Sequence, residues 1–246
     1  MSTTDTPPPS PNPKSEISGP RVDARPYAWP YDGYIVPERT ALILIDWQHD
    51  FCAADGYVSR MGYDVGRLYR AVAPTKRMLQ SARAAGMHII HTREGHRADL
   101  SDLPATKRWR SRQIGAEIGA EGPLGRRLVR NEPGWEIIPE LAPKPGEPIV
   151  DKPGKGSFYA TDLDTLLRRK GVTHLVLTGV TTDVCVHTTM REANDRGYEC
   201  LLLEDCTAAV DEQNERAALK MVTMSGGVFG AVASSTALQK AMLPTP

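Results

Sequence analysis

The run ALILI at residues 41–45 constrains the fold more than any other segment, because five aliphatic residues follow one another without interruption. A half-exposed strand alternates apolar and polar residues, whereas a strand buried on both faces reads as a continuous apolar run. The run ends directly at Asp46. It therefore predicts a central strand of a sheet that is covered by helices on both sides.

The rest of the chain alternates between short apolar runs and stretches in which apolar residues recur at helical spacing. We predict strands over residues 87–92, 148–151, 174–179, 198–205 and 227–232, and helices over 162–170, 183–196, 212–225 and 235–242, with a further helix that stops at Gly86. Residues 93–146 are rich in Arg, Gly and Pro and predict a long excursion with one or two helical turns. Alternating strands and helices are typical of parallel sheets. We therefore expect an α/β fold of three layers, α/β/α, with a mainly parallel sheet in the middle.

The first 35 residues differ in composition from the rest, since they hold eight of the twenty prolines and few aliphatic residues. Such a segment buries too little apolar surface to offset the entropy that it loses on ordering. We predict a Pro-rich, largely disordered tail over residues 1–35 and a single domain over residues 36–246. The aromatic stretch RPYAWPYDGY at 25–34 is the part of this tail that can lie against a surface.

The charge balance and hydropathy exclude several classes of function. Thirty Lys and Arg residues balance thirty Asp and Glu residues, whereas a nucleic-acid-binding protein would show a basic excess. No apolar run approaches the roughly 20 residues that span a bilayer, and the N-terminal sequence lacks the basic start and apolar core of a secretory signal. We therefore expect a cytoplasmic protein without nucleic-acid or membrane partners.

Three side chains with reactive groups follow predicted strands, namely Asp46, Lys152 and Cys185. Reactive groups of parallel sheets gather at the carboxyl ends of the strands. Cys185 also lies in the first turn of a predicted helix, where the helix dipole and free N–H groups favour a thiolate and can bind an oxyanion. Each residue has an ordinary alternative: a buried structural cysteine, a helix-capping aspartate and a solvated lysine. Together they indicate a nucleophile with an acid and an ammonium group.

Three motifs in this order, DWQHDF at 46–51, KPGKGSF at 152–158 and GVTTDVCV at 179–186, resemble the isochorismatase-like cysteine hydrolases. The resemblance covers about residues 35–240. Within that superfamily, stretches such as HIIHTREGHR (88–97), EPGWEIIPEL (132–141) and TTMREANDRGYECLLLEDC (188–206) are most similar to the biuret and triuret hydrolases. N-carbamoylsarcosine and ureidoacrylate amidohydrolases are more distant.

The resemblance implies a Rossmann-like α/β/α fold and a catalytic triad of Asp46, Lys152 and Cys185. It also implies a cis peptide bond between Val180 and Thr181, with the backbone N–H groups of Thr181 and Cys185 forming an oxyanion hole. The implied reaction is hydrolysis of a terminal amide of a short linear ureide, triuret or biuret, through a thiocarbamoyl enzyme and with release of ammonia. The resemblance implies no cofactor, and it implies assembly into a homotetramer.

Three further residues are expected to bind the substrate: Phe51, Tyr159 and Ser225. The biuret hydrolases that the sequence resembles carry a glutamine at the position of Ser225, just before the GGVFG stretch. If residue 225 faces the pocket, a serine leaves space and removes an amide, which favours triuret over biuret. The alternative is that Ser225 only ends a helix before Gly226, with its side chain in solvent.

Six histidines raise the question of a metal site. Nicotinamidases of the same superfamily bind a metal through an Asp-x-His motif and a further histidine. The corresponding stretch here reads Glu94-Gly95-His96, and no histidine follows it for about seventy residues. Zinc sites of enzymes generally use three protein ligands. We therefore predict no metal.

Other functions remain open from the sequence. A different small amide, such as N-carbamoylsarcosine or ureidoacrylate, is the alternative substrate within the hydrolases. A function of another class is also open, because the same fold could serve as a non-catalytic binding protein. The absence of a triad residue would favour that interpretation, but Asp46, Lys152 and Cys185 are all present.

Overall fold

The computed structural model describes residues 20–243, and its centre is a six-stranded sheet. The strands are β1 (Thr40–Ile45), β2 (His88–Glu94), β5 (Ile149–Lys152), β6 (His174–Val180), β7 (Glu199–Ala208) and β8 (Ala231–Ala233). They lie in the order β5-β2-β1-β6-β7-β8, and all five pairs of neighbouring strands are parallel. Two strands of two residues, β3 (Glu121–Gly122) and β4 (Gly125–Arg126), form a separate antiparallel pair.

Nine α-helices accompany the sheet in the described part of the chain. They are α1 (His49–Cys52), α2 (Tyr57–Arg60), α3 (Gly66–Tyr69), α4 (Val72–Ala84), α5 (Ala105–Gln113), α6 (Leu163–Arg169), α7 (His187–Asp195), α8 (Glu212–Thr223) and α9 (Ser235–Ala241). Short 3-10 turns lie at Pro37–Arg39, Pro133–Trp135, Pro139–Leu141 and Met224–Gly226, and a π-helical turn spans Thr182–Val186. Between residues 20 and 243 no helix combines the length and the apolar character that crossing a membrane requires.

Strand β1 separates two apolar cores. Leu42 and Leu44 belong to one core, and Ile43 and Ile45 to the other, because successive side chains of a strand point to opposite faces. The first core contains apolar residues of α4 and α9, and the second contains those of α6, α7 and α8. The predicted three-layer fold with a mainly parallel sheet is therefore confirmed.

The last predicted strand differs from the structure. Only Ala231–Ala233 form β8, whereas residues 227–230 form a turn. Gly227 and Gly230 have φ angles of 95° and 126°, which L-residues rarely adopt and which strands do not use. The apolar character of GVFG suggested a strand, but the glycines allow a turn that closes onto the end of α8.

Residues 20–35 pack against the domain, and they include the aromatic stretch 25–34 that was expected to be able to lie against a surface. Val22 and Trp29 pair with each other in an antiparallel bridge and are fully buried, and Arg25 pairs with Val232 of β8. The aromatic and aliphatic side chains of this stretch supply the apolar contacts that its proline content seemed to exclude. Residues 1–19 of the predicted tail lie outside the described residues.

Candidate active site

The carboxyl ends of four strands meet at one edge of the sheet. Ile45 of β1 is in register with Thr92 of β2, and Glu94 at the end of β2 is in register with Lys152 at the end of β5. Asp46 directly follows β1, and the turn that carries Cys185 follows β6. The parallel order of the strands therefore brings these side chains together from distant parts of the sequence.

Asp46 and Lys152 form a fully buried ion pair. The distance between Lys152 Nζ and Asp46 Oδ2 is 2.7 Å, and both side chains have 0% exposure. Thr92 donates its hydroxyl to Asp46 Oδ1 at 2.7 Å. Lys152 also donates to the carbonyl oxygens of Gly154 and Lys155, each at 3.0 Å. Two of its three N–H donors are therefore bound to carbonyl oxygens, and the ion pair with Asp46 holds Lys152 in place as a cation.

Cys185 lies in the π-helical turn rather than in the α-helix that was predicted to begin at residue 183. The backbone N–H of Val186 donates to the carbonyl oxygen of Thr181 at 3.2 Å, five residues earlier, and α7 begins only at His187. The peptide bond between Val180 and Thr181 is cis, as the resemblance implies. This turn places the sulfur against the ends of β1 and β2.

The thiol of Cys185 is buried, with 2% of the residue exposed. Burial raises the pKa of this thiol, and the nearby ammonium of Lys152 only partly opposes the effect. The sequence suggested that the helix dipole favours a thiolate. Burial acts in the opposite direction and favours the neutral thiol, so Cys185 needs a proton acceptor before it can attack.

Glu94 is a fourth member of the site that the sequence analysis considered only for metal binding. Its carboxylate is fully buried and accepts hydrogen bonds from Lys107 Nζ at 2.6 Å and from Lys155 Nζ at 2.9 Å. The Cys185 thiol donates to Glu94 Oε2 at 3.5 Å. An acidic residue that ends a buried strand, as Asp46 also does, is the sequence signal that could have identified it.

The two carboxylates of the site differ in their affinity for protons. Burial raises the pKa of Asp46, and the charge of Glu94 raises it further, while Lys152 opposes both. Burial acts on Glu94 in the same direction, but Lys155, Lys107 and Lys152 together hold the pKa of that carboxyl well below its usual range. Asp46 is therefore the better proton acceptor, and Glu94 stays ionised.

Ligand atoms of Asp46, Glu94 and Cys185 lie within 4.8 Å of one another, which is close enough for a metal ion. The two carboxylates of this trio are already paired with lysine ammonium groups, Asp46 with Lys152 and Glu94 with Lys107 and Lys155. A divalent cation would have to enter beside these positive charges. The donor set therefore fits an ion-paired cluster better than a metal centre.

Of the predicted substrate-binding residues, Tyr159 lies beside this cluster and Phe51 lies in the core. Tyr159 is 61% exposed and lines a cavity of about 370 Å³ together with Lys107, Arg110 and Lys155. Phe51 is buried and makes an edge-to-face contact with Tyr57, at 6.5 Å between ring centres. Tyr159 therefore lies at the cavity, whereas Phe51 packs in the core against Tyr57.

Ser225 lies apart from the cluster in the described contacts. It is exposed, follows α8 in a short 3-10 turn and has a φ angle of 50° before Gly226. No hydrogen bond or ion pair among residues 20–243 joins it to Asp46, Lys152 or Cys185. This geometry agrees with the alternative that Ser225 ends a helix with its side chain in solvent.

The comparisons with known proteins identify the family. The isochorismatase domain model matches residues 40–236. A cysteine hydrolase from Pseudomonas syringae pv. phaseolicola 1448A is 28% identical with a TM-score of 0.69, over 92% of this chain and 98% of its own. An isochorismatase family protein from Desulfovibrio vulgaris subsp. vulgaris str. Hildenborough is 27% identical with a TM-score of 0.68, over 83% and 98%. N-carbamoylsarcosine amidase from Thermoplasma acidophilum, at 23% identity and a TM-score of 0.62 over 80% and 96%, shares the fold.

The fold and the buried cluster define an α/β protein with a cysteine at the carboxyl edge of a parallel sheet. The family model covers residues 40–236, which is most of the chain. The chain belongs to the isochorismatase domain family.

Proposed function

We propose that the protein is a cysteine amidohydrolase that cleaves a terminal C–N bond of a short linear ureide, triuret or biuret, and releases ammonia. One observation carries this proposal: the ion pair of Asp46 and Lys152 is fully buried, and an oxygen of Asp46 lies within 4.8 Å of the Cys185 sulfur. A nucleophile beside a buried base that is itself held by a third group is the arrangement that covalent catalysis requires. The resemblance to ureide hydrolases supplies the substrate class.

In the first half of the reaction, Asp46 accepts the thiol proton of Cys185, and Lys152 balances the negative charges. The sulfur attacks the terminal ureido carbonyl, and the backbone N–H groups of Thr181 and Cys185 bind the oxyanion. The C–N bond then breaks, and Asp46 returns its proton to the leaving nitrogen, which departs as ammonia.

In the second half, water attacks the thiocarbamoyl group on Cys185. Asp46 accepts a proton from that water, and the C–S bond breaks as the thiol is restored. The product is a carbamic acid, one amide nitrogen shorter than the substrate. Phe51 and Tyr159 are the residues expected to contact the bound ureide, and Tyr159 lines the cavity beside the cluster.

An N-carbamoyl compound with a carboxylate, such as N-carbamoylsarcosine, is the second candidate substrate. The cavity beside the cluster favours it, because Lys107, Lys155 and Arg110 line this cavity against a single acid, Asp102. A basic lining attracts an anionic substrate. The fold shared with N-carbamoylsarcosine amidase is compatible with either candidate.

A panel of biuret, triuret, N-carbamoylsarcosine and ureidoacrylate, assayed for ammonia, tests the proposal. We expect kcat/KM to be highest for a ureide, and Cys185→Ser to lower kcat by about 10³-fold or more while the fold is kept. Residual activity within about tenfold of wild type would remove Cys185 from the mechanism. A protein that hydrolyses none of the four, and whose cysteine does not react with iodoacetamide, would be a binding protein instead.

Assembly into a homotetramer is part of the same proposal and is carried by the resemblance alone. Light scattering after size-exclusion chromatography measures it directly. The expected molar mass is four times 27.0 kDa.

A further inference from the structure

Glu94 carries a fully buried carboxylate for which the proposed proton transfers have no use. Burying a carboxylate is unfavourable unless cations and hydrogen-bond donors compensate it. Here Lys107 and Lys155 donate to Oε1 at 2.6 and 2.9 Å, while Oε2 accepts from Lys155 at 3.3 Å and from the Cys185 thiol at 3.5 Å. Glu94 therefore connects the candidate nucleophile with two ammonium groups.

Lys107 is saturated by protein acceptors. Its ammonium donates to Glu94 Oε1, to the carbonyl oxygen of Pro153 at 2.8 Å and to His96 Nε2 at 2.9 Å. Burial lowers the pKa of His96, so its neutral ring can accept this bond while Nδ1 faces Asp102 at 3.2 Å. Because an ammonium has three donors, Lys107 has none left for a ligand. Its role is to fix Glu94.

Lys155 differs from Lys107 in its exposure and in its partners. Its side chain is 42% exposed, against 12% for Lys107, and it lines the cavity of about 370 Å³ beside Tyr159. Both of its hydrogen bonds go to the Glu94 carboxylate, at 2.9 and 3.3 Å. The ammonium therefore keeps donor capacity that faces the cavity.

We propose that Glu94 is a positioning residue: fixed by Lys107, it holds the Lys155 ammonium at the wall of this cavity, so that Lys155 donates to the second carbonyl of a bound ureide. This inference rests on the proposed function for the nature of the ligand. It separates the tasks of the two buried carboxylates, since Asp46 moves the proton and Glu94 remains an anion throughout.

The kinetic test uses Glu94→Gln, which keeps the shape of the side chain and removes its charge. We expect kcat/KM for the preferred ureide to fall about 10- to 100-fold, the value of one charge-assisted hydrogen bond. Alkylation of Cys185 by iodoacetamide should be retained, because this small neutral reagent needs no bond from Lys155. A parallel loss of alkylation and turnover would mean that Glu94 serves the thiol or the fold, and would overturn the proposal.

Lys155→Met should cause a similar loss, and Lys155→Arg should restore part of it. In the double variant Glu94→Gln/Lys155→Met, the loss should equal that of Lys155→Met alone, because residues that act through each other are not additive. If the fold-loss of kcat/KM in the double variant equalled the product of the two single losses, Glu94 and Lys155 would have independent roles, which would contradict the inference. Glu117→Gln is the matched control, because Glu117 also binds two basic side chains but lies at the surface.

A labelling experiment tests the same contact without any substrate. Acetic anhydride acylates the neutral amine of lysine, and the charge of Glu94 raises the pKa of Lys155 against the effect of burial. We expect Lys155 to be acylated more slowly than the exposed Lys76 in wild type and to be acylated faster in Glu94→Gln, as read by mass spectrometry. Unchanged labelling would overturn the anchoring by Glu94. If no ureide is hydrolysed, both the proposed function and the hydrogen bond from Lys155 to a ureide are refuted. The labelling experiment still decides whether Glu94 holds the Lys155 ammonium.

Discussion

Glu94 and Glu117 hold the same kind of contact in two different surroundings. Glu94 binds Lys107 and Lys155 at 2.6 and 2.9 Å, and Glu117 binds two arginines, Arg108 and Arg112, at 2.8 and 2.9 Å. The Glu94 side chain has 0% exposure and that of Glu117 has 24%. The pKa of both carboxyls is depressed, to about 2 in Glu117.

The difference between the two clusters lies in what happens when a partner is removed. At the surface, water and salt replace a lost partner, so exposed ion pairs contribute little to stability. In the buried cluster no water replaces it, and the remaining charge is left without compensation. Contact distance alone therefore does not separate a functional cluster from an incidental one, whereas burial does.

The largest effects are expected from removing one partner of the buried Asp46–Lys152 pair. Lys152→Ala leaves Asp46 buried without its cation, which should lower the free energy of unfolding by about 3–5 kcal/mol. Asp46→Asn and Lys152→Ala should each lower kcat by about 10² or more, the low end for positioned proton transfer. Arg112→Ala at the surface cluster should leave both quantities unchanged. Denaturant unfolding and ammonia release measure the two effects, and equal losses in both clusters would refute the distinction by burial.

The pH dependence of stability gives a smaller effect with a defined sign. The folded-state pKa of Glu94 lies below its unfolded value, so the unfolded chain binds more protons, and the contribution of Glu94 is complete above about pH 4.3 and is lost as the pH falls further. The difference in unfolding free energy between wild type and Glu94→Gln should therefore shrink below that pH. The difference for Glu117→Gln should have the same sign but be smaller, and added salt should reduce it. Unfolding curves at several pH values check this, and a Glu94 difference that grows in acid would be contrary to the expected sign.

The sequence predicted those parts of the site that follow strands and belong to continuous motifs. Asp46 and Lys152 were predicted because ALILI and the strand before KPGKGSF place them at the carboxyl edge, where the structure has them. Cys185 was expected in an α-helix, but it lies in a π-helical turn. Apolar periodicity does not distinguish these two turns, because they differ by a single residue of backbone pairing.

The remaining parts of the site depend on contacts that no local pattern encodes. Lys107 reaches Glu94 from α5, within the stretch that was predicted as an excursion with one or two helical turns. Glu94 was evaluated with His96 for metal binding, and the ammonium that binds both of them was not apparent from spacing along the chain. Such side chains are found only when the path of the chain between strands is known.

Ser225 tests whether an exposed residue can set substrate specificity, which the proposals above assign to the buried cluster. Its φ angle of 50° lies in the left-handed region, where a residue with a side chain costs about 1 kcal/mol more than glycine. Ser225→Gly should therefore stabilise the protein by about that amount. Because the side chain is exposed, Ser225→Gln should leave the ratio of kcat/KM for triuret and biuret unchanged. A tenfold change in this ratio, about 1.4 kcal/mol, would place residue 225 at the substrate and restore the preference for triuret that the sequence suggested.

Treatment with a chelator is expected to have the smallest effect, although the buried cluster contains three atoms that could bind a metal. Asp46 and Glu94 are paired with three lysines in all, and an ammonium paired with a carboxylate supplies the charge that a divalent ion would otherwise supply. Activity after treatment with a chelator should therefore equal that of the untreated enzyme, and added zinc should not increase it. The comparison can be reversed with Lys107→Ala, which removes one of the two ammonium groups on Glu94 Oε1 and frees His96 Nε2. This variant should have a higher affinity for Co²⁺, measured by its visible absorption. Loss of wild-type activity with a chelator, restored by zinc, would show that the lysines do not take the place of a metal.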